Sequence, residues 1–225
     1  MIKNLSRIAT AVALALLPAT MLTPAHAADT PTAAETLPLA QAINRLPIAD
    51  EIRDGYSRDK FKHWNAGEIR GDGCDTRKEV LIHEAIEPPT IGPNCSLTGG
   101  TWWSYYDEVT VTEAGQLDID HMVPLAEAWD SGAHAWTAQR REAYANDQGA
   151  EESLLAVTGT TNRSKGDKDP AEWLPPAPGA LCRYLSEWTG TKLRWDLTAD
   201  ETEQARLADL ADECTDTVVT YEPAP

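Results

Sequence analysis

Four cysteines constrain this chain most. Cys74, Cys95, Cys182 and Cys214 all follow an N-terminal segment with the marks of an export signal. Lys3 and Arg7 come first, an apolar run from Ile8 to Leu17 follows, and Ala25-His26-Ala27 places small residues before a cut after Ala27. The run is shorter than the ~20 residues a membrane-spanning helix needs. No cysteine follows the cut to carry a lipid, and no later segment is apolar enough to cross a bilayer. The expectation is a secreted monomer without membrane attachment. In an oxidising compartment an even cysteine count reads as disulfides, here with three possible pairings. Neighbour pairing, Cys74–Cys95 and Cys182–Cys214, closes the shortest loops and is the expected one, each bridge contributing roughly 3 kcal/mol. A zinc site would need a C-x-x-C or a close Cys/His pair, and neither occurs.

The 225 residues are 42% hydrophobic, enough for one packed domain and too many for a wholly disordered chain. With 19 basic and 36 acidic residues the net charge is −17, and loss of Lys3 and Arg7 leaves the mature chain more acidic still. Such a charge repels polyphosphate at long range and excludes nucleic-acid binding by bulk electrostatics. Any such partner has to be met by a local patch.

Four segments are expected: a signal peptide over 1–27, a loose Ala/Thr/Pro-rich leader over 28–40, one domain over 41–216 and a tail over 217–225. Within the domain, helices are expected over 40–46, 79–85, 124–129, 137–146, 181–193 and 199–214, and another opening at Asp169-Pro170-Ala171-Glu172. Strands are expected over 101–106, 109–112, 117–120 and 154–158, where β-branched and aromatic residues alternate with polar ones. The fold class is α+β.

Two segments carry chemistry. Leu117-Asp118-Ile119-Asp120-His121-Met122-Val123-Pro124 ends a strand with an acid beside a histidine. Leu154 to Thr158 then leads into Thr161-Asn162-Arg163-Ser164-Lys165-Gly166-Asp167. A strand bearing Asp-His, a second strand and Asn-x-x-Lys-Gly at a helix start resemble the HNH nucleases, whose active site is a ββα-metal motif. With Asp72-Gly-Cys-Asp-Thr-Arg77 and the run from Asn162 to Trp173, the chain most resembles exported bacterial HNH proteins related to the C-terminal domain of GmrSD-type restriction enzymes. The likeness spans about residues 50–214. It implies a ββα-metal core with surrounding helices, Asp120 and Asn162 as metal ligands, and His121 as general base.

The residue types suit that chemistry. Neighbours on a strand point to opposite faces, so Asp120 can reach a metal while His121 faces the attacking water. Hard oxygen donors suit one Mg²⁺ or Mn²⁺ per site. An ordinary histidine, with a pKa of about 6.5, accepts a proton near neutral pH. Arg163, Lys165 and Arg77 are the expected substrate-binding residues, with Arg140, Arg141, Lys192 and Arg194 adding a basic rim. Asp75 and Arg77 have a second reading as a pair bracing the first disulfide. Asp167 and Asp169 have one as a Ca²⁺ loop, although Asp169 is the better helix cap. Trp102, Trp103, Tyr105, Tyr106, Trp173, Trp188 and Trp195 read as core, and His63, His83 and His134 as surface or structural residues. The expected function is a secreted, metal-dependent endonuclease hydrolysing phosphodiester bonds in DNA, with RNA as a further candidate. Its rival is an exported Ca²⁺-stabilised binding domain of the same fold without catalysis. A wall-acting hydrolase has no support, since G-x-S-x-G and H-E-x-x-H are both missing.

Overall fold

A computed structural model describes residues 33–225, and the expected signal segment and its cleavage point lie outside them. Eight strands and seven α-helices follow in the order β1 (Glu35–Pro38), α1 (Leu39–Ile43), α2 (Thr76–His83), β2 (Thr90–Gly92), β3 (Ser96–Thr98), β4 (Trp102–Ser104), β5 (Val109–Val111), β6 (Leu117–His121), α3 (Leu125–Asp130), α4 (Ala138–Ala145), β7 (Leu154–Thr158), α5 (Gly159–Lys165), α6 (Leu181–Trp195), α7 (Glu201–Ala211) and β8 (Val218–Tyr221). This is an α+β fold. Its strands form separate antiparallel pairs, β1–β8, β2–β3, β4–β5 and β6–β7, rather than one sheet. None of the described helices is long and apolar enough to cross a membrane.

The β6–β7 pair is the centre. Its register sets Leu117 opposite Thr158 and His121 opposite Leu154. Successive side chains on a strand point to opposite faces, and here that alternation divides β7 between two cores. Leu154 and Ala156 pack with Leu117, Ile119, Trp102, Val80 and Leu81. Leu155 and Val157 pack with the larger helical core, which holds Tyr184, Trp188 and Trp195. With both faces covered, β7 reads as a continuous apolar run, as doubly buried strands do. α5 follows β7 without a loop and packs on β6 and β7 together. It ends at Gly166, whose φ of +63° turns the chain away in a region that disfavours side chains.

Local chemistry fixes the helix starts. Side chains of Asp75, Thr137 and Asp200 accept hydrogen bonds from the Lys78, Arg140 and Glu203 amides at the heads of α2, α4 and α7. Asp169 accepts from the amides of Ala171 and Glu172, but this caps an isolated turn, and the helix expected there does not form. Both disulfides are present in the expected pairing, Cys74–Cys95 and Cys182–Cys214, and no free cysteine occurs among the described residues.

The ends differ from a loose leader and tail. Glu35 to Pro38 pair antiparallel with Val218 to Tyr221, and Val219 and Tyr221 are buried in the helical core. The partners are about 180 residues apart, so nothing local in either segment announces the pairing.

Candidate active site

Asp118 and Asp120 share one face of β6, and α5 lies over it. Asn162 Nδ2 donates to Asp118 Oδ2 at 3.4 Å, and Arg163 approaches the same oxygen at 3.5 Å. One turn on, Lys165 Nζ bonds to Asp120 Oδ2 and to the carbonyl oxygens of His121 (3.1 Å) and Met122 (2.8 Å). Tyr106 OH donates to the same Asp120 oxygen at 2.7 Å. Lys165 is fully buried and Asp120 is 5% exposed. Burial pushes the Asp120 carboxyl up and the Lys165 ammonium down, and their mutual attraction opposes both shifts.

His121 is set differently. Its Nε2 lies 3.0 Å from the Ala145 carbonyl oxygen. A carbonyl only accepts, so Nε2 carries the proton and Nδ1 the lone pair. Among the described residues no hydrogen bond engages Nδ1. The ring stacks between Trp64 (5.6 Å between centroids) and Tyr144 (6.3 Å). Burial, with smaller contributions from the nearby Arg58, His63 and Lys165 charges, pushes its pKa down to about 3. At neutral pH the ring is therefore uncharged, a proton acceptor with a fixed tautomer. Asp120, His121 and Asn162 line one cleft of about 250 Å³ together with Tyr56, Arg58 and Arg163.

The donor atoms suit a hard cation. Asp120 Oδ2 is engaged by Tyr106 and Lys165, while Oδ1 makes no hydrogen bond among the described residues. Asn162 turns its amide nitrogen to Asp118, which leaves its amide oxygen free. Two oxygen donors in one cleft fit Mg²⁺ or Mn²⁺, ions that keep water and phosphate as their other ligands. No group of three or more His, Cys, Asp or Glu residues that could enclose a metal occurs among the described residues. The alternative Ca²⁺ loop does not form: Asp167 pairs with Arg53 at 2.8 Å, and Asp169 holds the amides of its turn.

Residues 94–210, just over half the chain, match the family described as GmrSD restriction endonucleases, C-terminal domain. The chain belongs to this family. The GmrSD match covers β6, β7 and α5, and so all three of Asp120, His121 and Asn162, while Tyr56 and Arg58 precede it. A curated relative, "Uncharacterized secreted protein" from the fungus Arthroderma benhamiae (strain ATCC MYA-4681 / CBS 112371), is 41% identical over 162 residues, covering 72% of this chain and 77% of its own. No solved structure matches. Family membership makes the chain nuclease-related, with nucleic acid as the general class of partner.

Within this GmrSD-type domain, the structure gathers four of the residues singled out from the sequence, Asp120, His121, Asn162 and Arg163. Two others lie elsewhere. Lys165 is sealed beneath the cleft and has no face for a phosphate. Arg77 donates to the Leu117 carbonyl at the far end of β6 (2.9 Å) and makes no ion pair with Asp75, which caps α2 instead. The basic rim also dissolves. Lys192 and Arg194 are buried against Glu127, Glu203 and Asp147, Arg140 lies over Trp136 and Trp195, and Arg141 donates to three main-chain carbonyls. Sequence reasoning missed Arg58, Trp64 and Tyr106 as parts of the site. The one sequence trace of Trp64 is the run Phe61-Lys62-His63-Trp64, which concentrates rings in a polar stretch.

Proposed function

We propose that the protein is a secreted, divalent-metal-dependent endonuclease of the HNH type that hydrolyses phosphodiester bonds in DNA, with RNA as a second substrate to be tried. One observation carries the reading: His121, whose Nδ1 makes no hydrogen bond among the described residues, lines the same cleft as Asp120 and Asn162, each of which keeps an oxygen without a hydrogen bond. The succession of two antiparallel strands and a helix packed on both, with Asp-His ending the first strand and Asn162 on the helix, supports a ββα-metal site. The export signal in the sequence and the printed name of the fungal relative support secretion.

In this reading His121 Nδ1 takes the proton from the water that attacks phosphorus, and the Ala145 carbonyl holds the ring in the accepting tautomer. Asp120 and Asn162 would hold Mg²⁺ or Mn²⁺, which when bound stabilises charge on the phosphoryl group and the leaving oxygen. Arg58 and Arg163 meet phosphate charge at the cleft mouth, a local positive edge on an acidic protein. Binding should accordingly be weak and salt-sensitive. Incubation with supercoiled plasmid tests the reading: nicking is expected in Mg²⁺ or Mn²⁺ and none in EDTA. Retention of the plasmid without cleavage in every metal would favour the binding-domain alternative.

A further inference from the structure

Lys165 closes α5 as a fully buried ammonium, and charge in such a place is costly unless every proton is bonded. Its partners are the Asp120 carboxylate and the carbonyls of His121 and Met122 at the end of β6, with a longer bond to Tyr106 OH at 3.4 Å. The rings of Tyr106 (5.6 Å), Tyr184 (5.9 Å) and Trp188 (5.9 Å) surround it and offset some of the lost hydration. It does not line the cleft. We propose that Lys165 is the built-in counter-cation of the site, a positioning residue that holds the Asp120 carboxylate and the His121–Met122 backbone in their working arrangement before a divalent ion binds. The proposal rests on reading Asp120 as a metal ligand.

A carboxylate awaiting a divalent ion is, without the ion, an uncompensated buried charge. Lys165 compensates it from behind. Because Lys165 and Tyr106 both engage Oδ2, the carboxylate is held at that oxygen, and Oδ1 is left without a hydrogen bond among the described residues in a side chain that lines the cleft. The bond to the His121 carbonyl fixes the main chain of the very residue that carries the base. One side chain therefore sets both halves of the site, from the layer beneath it.

The test compares melting temperatures of wild type, Lys165→Met, Asp120→Asn and the double variant, each with and without saturating Mn²⁺. Without metal, Lys165→Met is expected to lower Tm by about 10 °C, the scale for breaking a buried ion pair in a chain of this size. Adding Asp120→Asn removes the uncompensated charge and should restore at least half of that loss. Mn²⁺ should restore a similar share, while shifting wild type far less. Losses that simply add in the double variant, or a Lys165→Met loss that Mn²⁺ leaves unchanged, would overturn the counter-cation role. With the fold restored by Mn²⁺, kcat of Lys165→Met should remain about tenfold or more below wild type, since nothing replaces the bonds to the two carbonyls. A wild-type kcat there would overturn the positioning role. Should Lys165→Met fail to fold, the double variant decides: a folded double variant supports the pairing, and an unfolded one overturns it. Asp120→Asn alone controls for the underlying reading. If it keeps the wild-type Mn²⁺ shift, the ligand assignment fails, while the coupling of residues 120 and 165 still reads out in the absence of metal.

Discussion

Among the described residues two lysines are completely buried, and their sites differ in what lies beside them. Lys192 on α6 donates to Glu127 Oε1 (2.9 Å), Glu203 Oε2 (2.5 Å), Ser131 Oγ (3.0 Å) and the Thr198 carbonyl (2.8 Å). Ser131 Oγ also donates to Glu127 Oε1 and Trp188 Nε1 to Glu203 Oε1, both at 2.6 Å, which engages both oxygens of Glu203 and leaves Glu127 Oε2 without a hydrogen bond among the described residues. None of these residues lines the cleft of Asp120, His121 and Asn162. Lys165 bonds a single carboxylate whose second oxygen is left unengaged, next to a histidine with an unengaged nitrogen. Buried charge in this chain therefore does two jobs. Away from the cleft, shared between Glu127 and Glu203, it fixes the packing of α3, α6 and α7, and at β6 it sits behind a carboxylate that lines the cleft. A buried lysine by itself says little about chemistry, and whether its carboxylate partner lines a cleft says more.

The sharpest way to break this contrast is to strike each region and read both rate and stability. His121→Gln keeps side-chain volume near that of the ring but removes the proton-accepting nitrogen. Its cleavage rate should fall roughly 10²–10⁴-fold, the range for losing a general base, while Tm moves by only a few degrees. Lys192→Met should do the reverse. It leaves Glu127 and Glu203 buried without a counter-charge, so stability should fall by about 3–5 kcal/mol, read as a Tm loss near 10 °C. Mn²⁺ should not restore it, and kcat in the folded fraction should be that of wild type. A Lys192→Met protein rescued by Mn²⁺ would erase the distinction between the two lysine sites.

Solution pH sharpens the same comparison on a smaller scale. In the unfolded chain His121 titrates at about 6.5; in the fold burial holds it down to about 3. Between those values the unfolded state binds more protons, so His121 stabilises nothing above pH 6.5 and subtracts stability as pH falls toward 3. The slope from this one residue approaches 1.4 kcal/mol per pH unit, and it should vanish in His121→Gln when urea midpoints are compared from pH 6.5 to 4.5. Kinetics should agree. An ordinary histidine would give an acid limb near pH 6.5, whereas the buried ring stays neutral, so no His121 limb should appear between pH 6 and 8. A limb centred near 6.5 that disappears in His121→Gln would show that the ring is far wetter than its packing between Trp64 and Tyr144 implies.

The sequence made the middle of the molecule legible and its edges less so. β6 and β7 carry their alternation and apolar runs on the surface of the sequence, which places Asp-His at the end of the first and Asn-x-x-Lys-Gly after the second, and the family resemblance supplied their roles. Neighbouring cysteines on short loops predicted their own partners. What failed was the assignment of exposure to charge. Lys165, Lys192 and Arg194 look in sequence like phosphate contacts, yet each is buried by residues 11 to 65 positions away, a distance no local pattern spans. The β1–β8 pairing was invisible for the same reason. Tyr106 reads in sequence as packing and Trp64 carries no assignment there, and only tertiary placement sets Trp64 against His121 and Tyr106 against Asp120.

The smallest expected effect concerns the route of the substrate. With the basic rim withdrawn into the interior, Arg58 and Arg163 are the exposed cations of the cleft. Among the described residues no hydrogen bond or ion pair engages the Arg58 side chain, while Arg163 has only a long contact to Asp118, at 3.5 Å and largely exposed. A free guanidinium beside a neutral histidine is suited to a phosphate oxygen, which accepts two parallel N–H bonds from it. Each phosphate contact contributes about one unit to the dependence of log affinity on log salt. Arg58→Ala and Arg163→Ala should therefore each raise KM severalfold and flatten the salt dependence by about one unit. Arg77→Ala, which removes a brace on the Leu117 carbonyl at the opposite end of β6, should leave both unchanged. Measuring KM for an oligonucleotide duplex from low to moderate salt separates these cases. If Arg77→Ala flattens the salt dependence and Arg58→Ala does not, the nucleic acid crosses the other end of the strand, and the cleft beside His121 is not where it lies.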